Sequence, residues 1–186
     1  MTRQSTTEPS EVLDFWFAEG DDERWFKVSP DFDKEVIDRF GAAYEDAAAG
    51  RLTSWEATPE GALALIIVLD QFSRNMFRDN ARAFAADPVA QGIADRAVEQ
   101  GHDLAVPDDR RIFFYMPFEH AEDLALQDRC LALVKERCDR GQYVDYAERH
   151  HAVIARFGRF PHRNKVLGRE STAEEIEYLE GRDTPF

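Results

Sequence analysis

At 186 residues, 44% apolar and 32% charged, the chain has the size and composition of one globular domain, able to bury close to 70% of its unfolded surface without a metal or a disulfide. A formal net charge of −14, from 23 Lys+Arg against 37 Asp+Glu, excludes nucleic acid and anionic membranes as partners, because both require an electropositive footprint. The longest apolar run, residues 62–69, is too short to span a bilayer, and residues 1–11 contain no apolar signal segment, so a cytoplasmic location is expected.

Residues 1–9 read as a flexible leader to a single domain. Ser10 caps a first helix in which Val12, Leu13, Phe15, Trp16 and Phe17 are apolar almost all round, and Gly20 stops it. Trp25 and Phe26 fall in a short connection. Ser29-Pro30, a capping serine before a proline at the first helical position, opens a second helix. Its Phe32, Val36, Phe40 and Tyr44 recur every four residues, with Ile37 and Ala47 beside them, which predicts one buried stripe ending at Gly50. Thr58-Pro59 repeats the start signal before the apolar run, which leads directly into Asp70-Gln71-Phe72-Ser73-Arg74-Asn75. The proline-led cap and the alanines favour helix over buried strand.

Asp87-Pro88 starts a fourth helix through Val89, Ile93, Ala94 and Val98 to Gly101. Pro107-Asp108 opens a fifth over residues 109–116, interrupted by Pro117. A sixth carries Leu124, Cys130, Leu131, Val134 and Cys138; its two cysteines lie roughly 12 Å apart, beyond disulfide reach, and read as buried reduced thiols. Residues 143–157 form a seventh helix closed by Gly158. Thr172 with Glu175 makes a capping box for a last short helix ending at Gly181. No segment alternates as a strand does and no Asn-Gly or Asp-Gly turn occurs, so the expected fold is all-α with about eight helices. Pro30, Pro59, Pro88 and Pro117 are each 29 residues apart, a spacing that suggests an antiparallel array of similar helical units.

Residues suited to chemistry fall into three clusters beside apolar sequence. The first is Asp70, Gln71, Arg74 and Asn75, in which Asp70 and Arg74 are one helical turn apart and pair on one face. The second is Glu119, His120, Glu122 and Asp123. The third joins His150 and His151 to residues 156–169, fourteen residues with five cations and no acid.

Such positive charge in an acidic chain points to a small anionic ligand bearing phosphate or carboxylate. Arg74, Asn75, His151, Arg156, Arg159, Arg163, Asn164 and Arg169 are the candidate binding groups, with Asp70 among them to orient the cations. His120, His162 and Glu122 are the candidate acid–base groups of a hydrolytic reaction, with arginines stabilising developing negative charge. The basic segment and Arg74 offer more cations than Asp70, Glu119 and Glu122 can neutralise, which favours a bound anion. Alternatively, the same charges form a structural ion-pair network while the helices offer a groove for a peptide. A metal-dependent hydrolase would draw on His120, Glu122, His151 and His162, without a His-Glu-x-x-His or Cys-x-x-Cys motif to support it. No cofactor is expected. His102 and His150 read as surface or helix-end residues, and Cys130 has apolar neighbours that leave its thiol unactivated. An exposed aromatic surface is compatible with a homodimer. The sequence does not decide whether the protein turns anything over.

Leu69-Asp70-Gln71-Phe72-Ser73-Arg74-Asn75, Pro117-Phe118-Glu119-His120-Ala121-Glu122, and Phe157-Gly158-Arg159-Phe160-Pro161-His162-Arg163-Asn164 with Leu167-Gly168-Arg169 together resemble a widespread bacterial family, the domain of unknown function 924. The resemblance spans nearly the whole chain. It implies a fold similar to tetratricopeptide-repeat helical arrays and no established activity. Ser73 stands where the family usually has proline, which relaxes a helix end. Ala121 stands where it usually has serine, which leaves no hydroxyl nucleophile at 121.

Overall fold

The computed structural model describes residues 5–18, 25 and 28–181, and within them every regular element is helical. The expected stop at Gly20 and the connecting Phe26 lie outside the described residues. So do residues 1–4 of the leader, whereas Ser5 is tied down by its N–H, which donates to Asp46 Oδ2 at 2.6 Å.

Helix α1 (Pro9–Trp16) begins one residue before the expected cap at Ser10. Proline's preset φ suits the first helical position, so Pro9 starts the helix and Glu8 takes the cap position without a side-chain bond. Helix α2 (Pro30–Ala48) starts as read, with Ser29 Oγ accepting from the N–H of Phe32. Phe32, Val36, Phe40, Tyr44 and Ala47 are its buried stripe, but Ile37 is exposed. One residue past Val36, it lies about 100° round the helix from the stripe.

Helix α3 (Pro59–Ile66) is capped by Thr58 Oγ1, which accepts from Gly61 N–H at 3.1 Å. Only glycine fits at 61, because a Cβ there would stand 2.1 Å from the carbonyl oxygen of Trp55. The chain continues through a π-helical turn, Ile67–Phe72, into α4 (Ser73–Met76). Then follow α5 (Asp87–Glu99), α6 (Asp108–Glu119), α7 (Leu124–Arg137), α8 (Gly141–Phe157) and α9 (Ala173–Glu180).

Pro117 does not interrupt α6; it lies inside the helix, which runs on to Glu119. A proline in the last turn forfeits only a bond near the helix end, where the ladder is about to stop. Asp123 caps α7 by accepting from Leu126 N–H, Gly158 closes α8 in the left-handed conformation (φ 68°), and the Thr172/Glu175 capping box opens α9. Pro30, Pro59 and Pro88 open their helices while Pro117 nearly ends one. The 29-residue spacing therefore marks a helix start at three of its four positions and not at the fourth.

Helices α6, α7 and α8 pack in sequence on one another, α5 on α3 and α6, α1 on α3, and α2 on the π turn and α4. Residues 62–73 run through the centre with every side chain buried. Around them lies an aromatic cluster, with ring centroids 4.8 Å apart for Phe40 and Phe72 and 5.8 Å apart for Trp16 and Phe113. Each such pair adds roughly 1 kcal/mol beyond the area it buries. Cys130 is buried and Cys138 half-buried, both as free thiols. Among the described residues, no helix is long and apolar enough to cross a membrane.

Candidate functional site

The π turn carries the chain's hydrophobic run into polar residues while it is still inside the core, so Asp70 has no exposed surface. Buried carboxylates require partners, and Asp70 has three. Gln71 Nε2 donates to it at 2.6 Å, Arg74 Nη1 lies 3.1 Å from Oδ1, and His120 Nδ1 lies 2.8 Å from Oδ1 and 2.9 Å from Oδ2. The backbone carbonyl of Asp70 also accepts from Ser73 Oγ at 3.0 Å and Arg74 Nη1 at 2.6 Å. Serine at 73, the departure from the family pattern, thus supplies a hydroxyl to this turn.

Burial alone would raise the Asp70 carboxyl. The charges of Arg74 and His120, with the bonds from His120 and Gln71, outweigh burial and hold it well below the usual carboxylate range. An ionised Asp70 makes His120 Nδ1 the donor and leaves Nε2 with the lone pair. Burial, reinforced by Arg74, holds the His120 imidazole below its ordinary value despite Asp70.

Arg74 also grips Asp87 with a fork, Nη1 to Oδ1 at 3.0 Å and Nη2 to Oδ2 at 3.1 Å. Arg163 Nη1 stands 3.6 Å from the same carboxylate, and its guanidinium lies 4.5 Å from the centres of the Phe84 and Phe160 rings. Burial, then the charge of Arg74, pushes Arg163 down to about 10.

Glu119, the last residue of α6, is 5% exposed. Its Oε1 is 3.5 Å from Nδ1 of His150, which lies 2.9 Å from the carbonyl of Tyr146. Burial, then the negative charge of Asp70, pushes Glu119 up to about 8, while burial and His120 push His150 down to about 3. Burial thus disfavours charge on both groups. His150 is therefore an interior residue, contrary to its reading as surface. Tyr143, Ala147, His150 and Ile154 share the buried face of α8 at helical spacing.

These groups border a cavity of about 580 Å³. Trp25, Phe113, Tyr143 and Tyr146 supply rings, Gln71 and Asn75 amides, and Glu119, His120 and His150 titratable groups. Among the described residues, the charged lining is three arginines, Arg74, Arg78 and Arg140, against one carboxyl group, Glu119. The carboxylates that neutralise Arg74 and Arg78 stand outside the lining. They are Asp70 and Asp87 for the first, and for the second Asp33, which also accepts from Asn75 Nδ2 at 2.8 Å. Arg140 meets the Tyr143 hydroxyl at 3.4 Å and pairs with no carboxylate among the described residues.

The positive segment near the C-terminus does not line this cavity. Arg156 pairs with Glu174, and Arg159 forks onto Glu175 at 2.6 and 2.8 Å. Arg169 forks onto Glu122 at 2.6 and 2.8 Å, and Glu122 also accepts the Phe160 N–H. Asn164 donates to Ser171 and Glu175 and accepts from Arg169. His151 bonds Asp128 on the surface, and His162 is exposed with its ring 5.6 Å from that of Phe160. The surplus of arginines counted from sequence disappears because Asp87, Glu174 and Glu175, left out of that count, supply the missing carboxylates.

Of the residues proposed from sequence, Arg74, Asn75 and His120 line the cavity and Asp70 braces them from behind. Glu122, His151, Arg156, Arg159, His162, Arg163, Asn164 and Arg169 are outside the lining. The metal set drawn from His120, Glu122, His151 and His162 is not assembled, since Glu122 holds Arg169 and His151 holds Asp128. Instead, one ligand-capable atom from each of Glu119, His120 and His150 lies within 4.8 Å of the others. Arg78, Arg140 and Tyr146 were missed. The buried face of α8 would have located His150, but no local signal marks Arg140, in the link between α7 and α8.

Residues 12–183 match the family described as "Bacterial protein of unknown function (DUF924)". The chain is similar to the solved structure of a protein of unknown function, ATU0120, from Agrobacterium tumefaciens. The two are 46% identical over 92% of this chain and 96% of that one, with a TM-score of 0.88. None of the curated proteins compared matches the chain.

Proposed function

We infer the function from the cavity itself, because the chain belongs to the DUF924 family, whose description carries no activity. The protein binds a small molecule that joins an anionic group, phosphate or carboxylate, to a flat or apolar body. The observation that carries this is the lining, in which the described residues set three arginines against one carboxyl group in a molecule of net charge −14. Arg74 and Arg78 keep their counter-charges behind them, and Arg140, at the exposed rim, is the cation an incoming anion meets first. Rings on several sides suit a planar or apolar body. A cavity of about 580 Å³ falls within the roughly 300–1,000 Å³ usual for small-molecule sites, which favours a small molecule over a peptide.

Hydrolysis is the reaction class this lining serves, since guanidinium groups stabilise the negative charge that builds as water attacks a phosphoryl or acyl centre. The water oxygen bonds to that centre, the bond from the centre to the leaving oxygen breaks, and a proton of the water passes to that oxygen.

The test is thermal unfolding with aromatic carboxylates, aryl phosphates and their neutral amides. An anion at 100 times its Kd raises Tm by about 5–10 °C for a chain of this size, while the amides do not. Arg140→Gln abolishes the response without changing the unliganded Tm. Equal responses to neutral and anionic compounds, or none to either, would refute the proposal.

A further inference from the structure

We propose that Glu119, His120 and His150 form a binding site for a divalent transition metal in the wall of the cavity, with two imidazoles and one carboxylate as ligands. Their ligand-capable atoms already converge to within 4.8 Å of one another. With metal–ligand bonds of 2.0–2.1 Å, tetrahedral ligands lie about 3.4 Å apart, so closure requires movements on the order of 1 Å. Two packed helices hold the set, since Glu119 ends α6, His120 follows it and His150 lies on α8.

Two further observations point to an ion. The first is the support behind the rings. Histidines that bind metals nearly always engage a carboxylate or a backbone carbonyl through the other ring nitrogen, which fixes the tautomer and the ring plane. His120 Nδ1 has Asp70 at 2.8 Å, and His150 Nδ1 has the Tyr146 carbonyl at 2.9 Å. The second is Glu119 itself. It lines the cavity with a ligand-capable atom within 4.8 Å of one on each imidazole, and among the described residues it pairs with no lysine or arginine, so its carboxyl is not already committed to a cation.

Two imidazoles and a carboxylate suit zinc and its first-row neighbours better than calcium or magnesium. Three protein ligands leave a coordination position for water or for an anionic oxygen of the bound molecule, the arrangement of catalytic rather than structural zinc. The inference deepens the hydrolytic reading of the same cavity by naming what would polarise its substrate, yet ion binding can be tested without any substrate.

The experiment takes the full chain, strips it with a chelator and titrates it with Co²⁺ and Zn²⁺. The expected result is one ion per chain, a visible Co²⁺ spectrum of four- or five-coordinate type, and a higher Tm with Zn²⁺. Glu119→Gln and His150→Gln lower the affinity about 100-fold or more, whereas His151→Ala and His162→Ala leave it unchanged. Absence of a stoichiometric ion in the unmodified protein would overturn the proposal whether or not the variants fold. So would affinity that survives both glutamine substitutions, or that is lost with His151 or His162. Arg140→Gln separates the two claims, since it removes the anion response and keeps the Co²⁺ spectrum. A protein that binds the ion but no anion refutes only the small-molecule reading, and the reverse refutes only the metal.

Discussion

Asp70 and His120, fifty positions apart, meet with 2.8 Å between Oδ1 and Nδ1. The bond joins the π turn to the end of α6, and through Arg74 it reaches Asp87 at the start of α5. Three parts of the chain are thereby held by one set of buried charges.

Asp70→Asn tests that set. The substitution keeps the shape but removes the charge facing Arg74 and His120, and Arg74 retains only Asp87 as a carboxylate partner. Breaking a buried pair costs about 3 kcal/mol, which for a chain of this size lowers Tm by about 6–12 °C. Urea unfolding measures it. If the ion site exists, Co²⁺ affinity falls about 10–100-fold in the same variant, because Asp70 orients the ligand His120. A variant as stable as the parent would show that Asp70 is not the centre of the network.

Arg159→Gln combined with Arg163→Gln separates the basic segment from the cavity. Arg159 loses its fork on Glu175, and Arg163 leaves a gap between Phe84 and Phe160. The buried Arg163 carries the expected loss of about 3–5 kcal/mol in stability, with the Tm response to anions retained in full. Thermal unfolding with and without an aryl phosphate reads both quantities. Unchanged stability with a lost anion response would return these arginines to the binding site.

Acid should loosen the C-terminal segment first. The Arg159 side chain, above all, with Thr172 N–H and Asn164, holds Glu175 down to about 2. Burial opposes the shift at Glu122, but Arg169, Phe160 N–H and Arg163 outweigh it and hold that carboxyl below its usual range. Both are carboxyls with depressed folded-state values, so their stabilisation is complete above the ordinary value near 4.5 and is lost as pH falls towards 2. Hydrogen exchange at the amides of α9 should accelerate through this window, ahead of the amides of α3. Simultaneous acceleration of both would mean that the segment does not open separately.

Much of the helical layout was legible in sequence because helix signals are local. Ser29-Pro30, Thr58-Pro59 and the Thr172/Glu175 box each act within four residues, and all three cap the helices they announce. Where local rules conflict, local reading failed. Pro117 looks like a break, yet its position in the last turn of α6 makes it tolerable. The π turn had no signal, since hydrophobic periodicity does not separate π from α over six residues.

The cavity was legible only in part. Asp70, Arg74, Asn75 and His120 stand out as polar residues adjoining apolar runs. Arg140 and Glu119 acquire their significance from neighbours far away in sequence. His150 shows how a periodic pattern already present can be missed when a residue is judged by its type.

What the sequence by itself determined is which stretches coil and which of their faces are apolar, because those depend on residues within one or two turns. Only the tertiary structure decided which cation meets which carboxylate. Electrostatic pairing depends on separation in space, and Arg169 with Glu122, Arg159 with Glu175 and Arg74 with Asp87 are brought within reach only once the helices have packed. That packing spends the charge of the basic segment on the fold and leaves the positive lining to Arg74, Arg78 and Arg140.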